Sequence, residues 1–152
     1  MIGIMLGSES DWEVMLNCSK KLEQLGIHND MVVASAHRDP KKVTEYIKDW
    51  EYIGYKIIIA AAGMSAALPG VVASQTKLPV IGVPMKSDLM GIDSLLSIVQ
   101  MPKGVPVACM SIGKHGAVNA ALFAIRILNS ARPVTLKNAG GTLILGEDDE
   151  PD

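Results

Sequence analysis

Short apolar runs alternate with amphipathic stretches five times along this chain. Met1 to Leu6 predicts a buried strand, and Asp11 to Leu25 a helix with Val14, Met15, Leu22 and Leu25 on or near one face. Gly26 marks the end of that helix. Met31 to Ala34 predicts a second strand. Asp39 then stands as an N-cap with Pro40 in the first turn, and the following helix runs to about Trp50. The Ile-rich run Tyr55 to Ala61 predicts the third strand, followed by a small-residue helix over Ala66 to Thr76 with Pro69 in its first turn. Pro79 to Val83 and Val105 to Ser111 read as strands four and five. A helix over Ile92 to Met101 lies between them, and a last helix spans Ala117 to Leu128.

These strands are continuous apolar runs, the pattern of strands covered on both faces. Five β-α units with short connections predict an α/β protein, a three-layer α/β/α sandwich around a doubly wound, parallel five-stranded sheet. Ligands of such sheets sit outside the carboxyl ends of the strands, so the loops after the first four strands are where chemistry is expected. Residues 130 to 152 read differently. Pro133, Gly140 and Gly141 interrupt any helical period, and Gly146 to Asp152 is an acidic run, which predicts an irregular C-terminal tail. Within it, Leu143 to Leu145 suits a short strand or docking segment.

Composition narrows the classes. Charged residues are 20% of the chain and hydrophobic ones 49%, yet no window holds the roughly 20 unbroken apolar residues of a membrane span. The apolar excess predicts a large interface between copies, hence a homo-oligomer with no membrane partner. A net charge of −2, the lack of a basic run and 4% aromatic residues argue against nucleic acid. Cys18 and Cys109 are far apart and expected as two buried thiols in a reduced cytoplasm. No charged leader precedes the first strand, so no export signal is expected.

Three of the strand-end loops carry distinctive residues. In Gly7-Ser8-Glu9-Ser10-Asp11 the hydroxyls and the free N–H groups of a helix start favour an anion, and Asp11 can accept bonds from ribose hydroxyls. The same residues also fit an ordinary capping motif. Ser35-Ala36-His37-Arg38-Asp39-Pro40 places an imidazole beside a permanent cation, a pairing suited to an anionic substrate whose chemistry moves a proton near neutral pH. A solvated surface loop is the plain alternative. Small residues from Ala62 to Gly70 allow a ligand to approach the backbone, or a helix to pack closely on the sheet. This loop is neither a dinucleotide fingerprint nor a Walker A sequence, which disfavours nicotinamide cofactors and ATP. The scarcity of aromatic rings disfavours a flavin. His28 is expected in solvent, and His115 reaches a site only if its loop folds inward. No His, Cys or carboxylate cluster has metal-ligand spacing, so no metal is expected.

Taken together, GSESD (Gly7 to Asp11), SAHRDP (Ser35 to Pro40), the Ala62 to Gly70 loop, PVIGVP (Pro79 to Pro84) and GIDSLLSIVQMPKGVPVA (Gly91 to Ala108) resemble the PurE family of purine biosynthesis. Its members are N5-carboxyaminoimidazole ribonucleotide mutases, with aminoimidazole ribonucleotide carboxylases as a related class. The similarity covers residues 1 to about 129, and Leu68-Pro69-Gly70 with SIVQMP points to the mutase class. The resemblance implies a flavodoxin-like subunit, a homo-octamer, an imidazole ribonucleotide substrate and no cofactor. It implies that Ser8, Asp11 and Arg38 contact ribose and phosphate, that Ser10, Ser35, Gly63 and Leu68 line the same site, and that His37 transfers the proton. The family's usual loop reads AGGAAHLPG. Here Met64 and Ser65 replace Gly and Ala, and Ala67 replaces the second histidine, removing one family contact to the substrate's carboxylate. Family members also continue into a long helix where residues 130 to 152 do not read as one. Carboxylation of aminoimidazole ribonucleotide by free carbon dioxide, and a nucleotide-binding paralogue with impaired catalysis, are the alternative readings.

Overall fold

The structure, a computed structural model, describes residues 1–130, 134–138 and 141–145. Strands β1 (Ile2–Leu6), β2 (Asn29–Val33), β3 (Ile57–Ala62), β4 (Val80–Pro84) and β5 (Ala108–Cys109) form one sheet in the order β2-β1-β3-β4-β5, with every pairing parallel. This is the flavodoxin-like order, and its direction reverses between β1 and β3. Helices α1 (Trp12–Gln24) and α5 (Lys114–Ser130) cover one face. Helices α2 (Pro40–Ile53), α3 (Leu68–Ala73) and α4 (Ile92–Val99) cover the other.

The continuous apolar runs have their cause in this layering. Ile57, Ile59 and Ala61 point into the layer of α1 and α5 with Met15 and Leu22, while Ile58, Ala60 and Ala62 point toward Val43, Ile47 and Trp50 of α2. Each fully buried isoleucine contributes roughly 1.5–3 kcal/mol of hydrophobic burial. Packing on the α2 side is close. A Cβ on Gly3 of β1 would lie 2.4 Å from a Trp50 ring carbon, and Trp50 is stacked on Tyr55 at 5.5 Å.

Several boundaries depart from the periodic reading. The first helix opens with a 3-10 turn, Glu9–Asp11, and Leu25 is exposed because the chain turns there, with Gly26 at φ +74°. The third helix is shorter than Ala66 to Thr76, because Ala66 and Ala67 donate to Met64 and Ser65 carbonyls in a local turn. The fifth strand shrinks to two residues. Pro106 lacks an N–H, and the ladder to β4 holds only at Ala108 and Cys109. The last helix is longer than expected at both ends. Within the tail expected to be irregular, β6 (Val134–Asn138) and β7 (Gly141–Leu145) pair as an antiparallel hairpin that includes Leu143 to Leu145. The acidic run 146–152 lies outside the described residues. Among the described residues no helix is long and apolar enough to cross a membrane.

Candidate active site

Each site loop is shaped by local chemistry. Ser8 is extended and caps the 3-10 turn by accepting from the Ser10 N–H. The Ser10 hydroxyl donates to Ser8 Oγ at 2.9 Å. Asp11 occupies the N-cap position of α1 but makes no capping bond with its side chain. Apart from a long 3.5 Å contact from the Ser10 hydroxyl its carboxyl has no side-chain partner among the described residues, and the plain capping reading fails for this residue. Asp11 is only 8% exposed, and burial raises its pKa above the ordinary 3.8, opposed by the Ser10 hydroxyl and the Ser8 backbone bond.

After β2 the chain makes the predicted stop. Asp39 accepts from Lys42 N at 3.1 Å, and Pro40 opens α2. The Arg38 N–H donates to Ser35 Oγ, and its guanidinium donates to the Gly7 carbonyl at 3.0 Å. A cation thus ties the second strand-end loop to the first. After β3, Met64 adopts a left-handed φ of +55°. That conformation costs a residue with a Cβ roughly 1–2 kcal/mol, which gives a physical reason for glycine in the usual family loop.

These loops enclose one cavity of about 400 Å³ at the carboxyl ends of β1 to β4. Ser8, Ser10, Asp11, Ser35, His37, Arg38, Gly63 and Leu68 all line it. Met64, Ser65 and Ala67 line it as well, so the three departures from the family loop face the cavity. A second hollow of about 370 Å³ shares Ser8, Ser35 and Arg38 with it. Sequence reasoning missed Lys86 and Ser87, which complete the wall after β4. The rule that ligands bind at strand ends already pointed to that loop, but no recognisable motif drew the eye to it.

The other candidates lie elsewhere. His28 precedes β2 at the opposite end of the sheet and faces Asp30 across 3.8 Å. His115 is exposed in the first turn of α5 and does not line the cavity. Cys18 is fully buried and its thiol is pushed up to about 12 by burial. Cys109, expected to be buried, is only half-buried because β5 is so short.

A doubly wound sheet with an imidazole, a guanidinium and a buried carboxyl gathered over its strand ends defines an α/β protein with a cavity of small-molecule size at that edge. Comparison with known proteins narrows this class. A family model described as AIR carboxylase matches residues 1–139, and the chain belongs to that family. It is 56% identical over 128 residues to the N5-carboxyaminoimidazole ribonucleotide mutase of Saccharolobus solfataricus, covering 84% of this chain and 80% of the relative. The mutase of Pseudomonas aeruginosa is 49% identical over 134 residues, covering 88% and 82%. The crystal structure of Treponema denticola PurE superposes with a TM-score of 0.78 at 32% identity, covering 86% of this chain and 81% of that one.

Proposed function

We propose that this chain is an isomerase of purine biosynthesis that converts N5-carboxyaminoimidazole ribonucleotide into 4-carboxy-5-aminoimidazole ribonucleotide. The convergence of His37 and Arg38 with Ser8, Ser10 and Asp11 on one nucleotide-sized cavity carries this reading. The mutase names of its relatives support it. Residues 1–129 form the catalytic unit. Arg38 and Ser8 hold the phosphate, and Asp11 accepts from ribose hydroxyls. Ser10, Ser35, Gly63 and Leu68 shape the rest of the site.

In the proposed reaction the bond between N5 and the carboxyl carbon breaks, and protonated His37 gives its proton to N5 as carbon dioxide departs. C4 then attacks the carbon dioxide, forming the new carbon–carbon bond. Neutral His37 removes the C4 proton, which restores the ring and the starting imidazolium. One residue thus serves as acid and then base, and the net change is an isomerisation. The small apolar wall of Ala62, Gly63 and Leu68 keeps carbon dioxide beside C4 and water out.

The proposed working form is a cytoplasmic homo-octamer. Ile92, Leu96 and Val99 are at least half exposed along α4 of the isolated chain, and they supply apolar surface for such contacts.

The test follows the ultraviolet absorbance of the 4-carboxy product. The wild type is expected to turn over the carboxyamino substrate without added bicarbonate. Substitution of His37 by Asn should abolish turnover while ligand binding persists, and an unchanged rate in that variant refutes the reading. The family's description as AIR carboxylase favours a second reading, carboxylation of aminoimidazole ribonucleotide by free carbon dioxide. Product formed from that ribonucleotide with bicarbonate alone, and none from the carboxyamino substrate, selects it.

A further inference from the structure

We propose that Lys86 binds the migrating carboxylate, giving the cavity a second anion-holding point opposite Arg38. This inference rests on the substrate proposed above, which carries a phosphate at one end and a carboxylate at the other.

The charges lining the cavity are unevenly placed. Asp11, His37 and Arg38 come from the loops after β1 and β2. The loop after β3 offers Ala62, Gly63, Met64, Ala67 and Leu68, none with a strong side-chain donor, and a single neutral hydroxyl on Ser65. Where the family's loop places a histidine, Ala67 presents a methyl group. Lys86, on the loop after β4, is the cation on this side. From β2 to β4 the sheet order spans three strand spacings of about 4.8 Å, so the roots of the Arg38 and Lys86 loops are about 14 Å apart. Two long side chains leaning inward from that separation suit the two anionic ends of one extended ribonucleotide.

The backbone beneath Lys86 is held from both sides. Met85 N donates to the Ala62 carbonyl at 2.9 Å, and the buried Ser94 hydroxyl donates to the Met85 carbonyl at 2.5 Å. On the other side the Ser87 hydroxyl donates to the Asp93 carboxylate, its Oγ lying 3.0 and 2.8 Å from the two oxygens. Asp93, the nearest acid on α4, is thereby engaged with Ser87. Among the described residues the ion pair present is His28 with Asp30, and Lys86 takes part in none. Lys86 is exposed on this anchored loop and pairs with no carboxylate of the described residues within ion-pair distance, which leaves its ammonium available to a substrate carboxylate.

Two stable ligands separate this role from general attraction of anions: the 4-carboxy product, and aminoimidazole ribonucleotide, which lacks the carboxylate. Calorimetric titration of Lys86→Gln is expected to show at least about tenfold weaker product binding than wild type. Binding of the uncarboxylated ribonucleotide should stay within about threefold. Lys86→Arg should retain most of the preference, and both variants should give melting curves matching wild type. Equal losses for both ligands, or no loss for either, overturn the role of Lys86 alone. Wild-type protein that binds neither ligand overturns the proposed substrate and this inference with it.

Discussion

Replacing Arg38 with lysine tests the anion-holding half of the site. A guanidinium carries five N–H donors in a rigid fork, and one is taken by the Gly7 carbonyl at 3.0 Å. The remaining donors can grip a phosphate at two oxygens while that tether holds the Ser8 loop in place. Lysine keeps the charge but has three donors on one nitrogen and no fork, so it cannot make both interactions in this geometry. A hydrogen bond to a charged group contributes about 1.5–3 kcal/mol, and Arg38 is exposed, so the lower half of that range applies to the tether. Losing the bidentate grip on phosphate corresponds to a rise in KM of roughly 10- to 100-fold, at 1.4 kcal/mol per tenfold. Because the phosphate takes no part in bond making, kcat should stay within about threefold. Steady-state kinetics of Arg38→Lys at low and high salt supply the assay. Because the charge is kept in both proteins, KM should rise with salt in each while the ratio between them persists. A fall in kcat at unchanged KM, or no effect on either, refutes the assignment.

Other consequences follow from burial and packing. Asp11→Asn should raise thermal stability at pH 7 while lowering kcat/KM, because burial disfavours the charged carboxyl. The sign follows from a folded-state pKa above the ordinary 3.8: the native state binds the proton more tightly than the unfolded chain, so the wild type gains on the variant as pH falls through that region. A variant less stable than wild type at pH 7 contradicts this. Gly3→Ala drives a methyl to within 2.4 Å of Trp50 and should cost about 1–3 kcal/mol in urea unfolding. In a Trp50→Leu background most of that cost should vanish, and simple additivity of the two changes would contradict the clash. Alkylation of the native protein at mildly alkaline pH, followed by peptide mass spectrometry, should label half-buried Cys109 first. Cys18, at 0% exposure and with its thiol pushed up to about 12, should react only after denaturation.

Within the candidate site, local chemistry was the most legible part. Asp39 followed by Pro40 announced a helix start because both act within one turn, and Asp39 does accept from Lys42 N. The role of Asp11 was not legible in the same way. A serine and an aspartate at a helix start are equally good caps by sequence. Only the folded turn shows that Ser8 caps and Asp11 does not. Lys86 and Ser87 went unread because nothing within their own loop marks them, and they become site residues only where β4 lies beside β3. Met64 was visible as a departure from the usual loop, but its left-handed backbone was not.

By itself the sequence determined the succession of strands and helices as far as the last helix, the double covering of the sheet and which strand-end loops carry titratable and hydroxyl side chains. Those properties depend on periodicity and turn chemistry that act over a few residues. Tertiary structure alone decided that segments 7–11, 35–38, 62–68 and 86–87 share one cavity, that Asp11 is buried without a capping duty, and that the fifth strand is only two residues long. The physical reason is that strand order brings together loops separated by tens of residues, and pairing partners, not propensity, set where each strand ends.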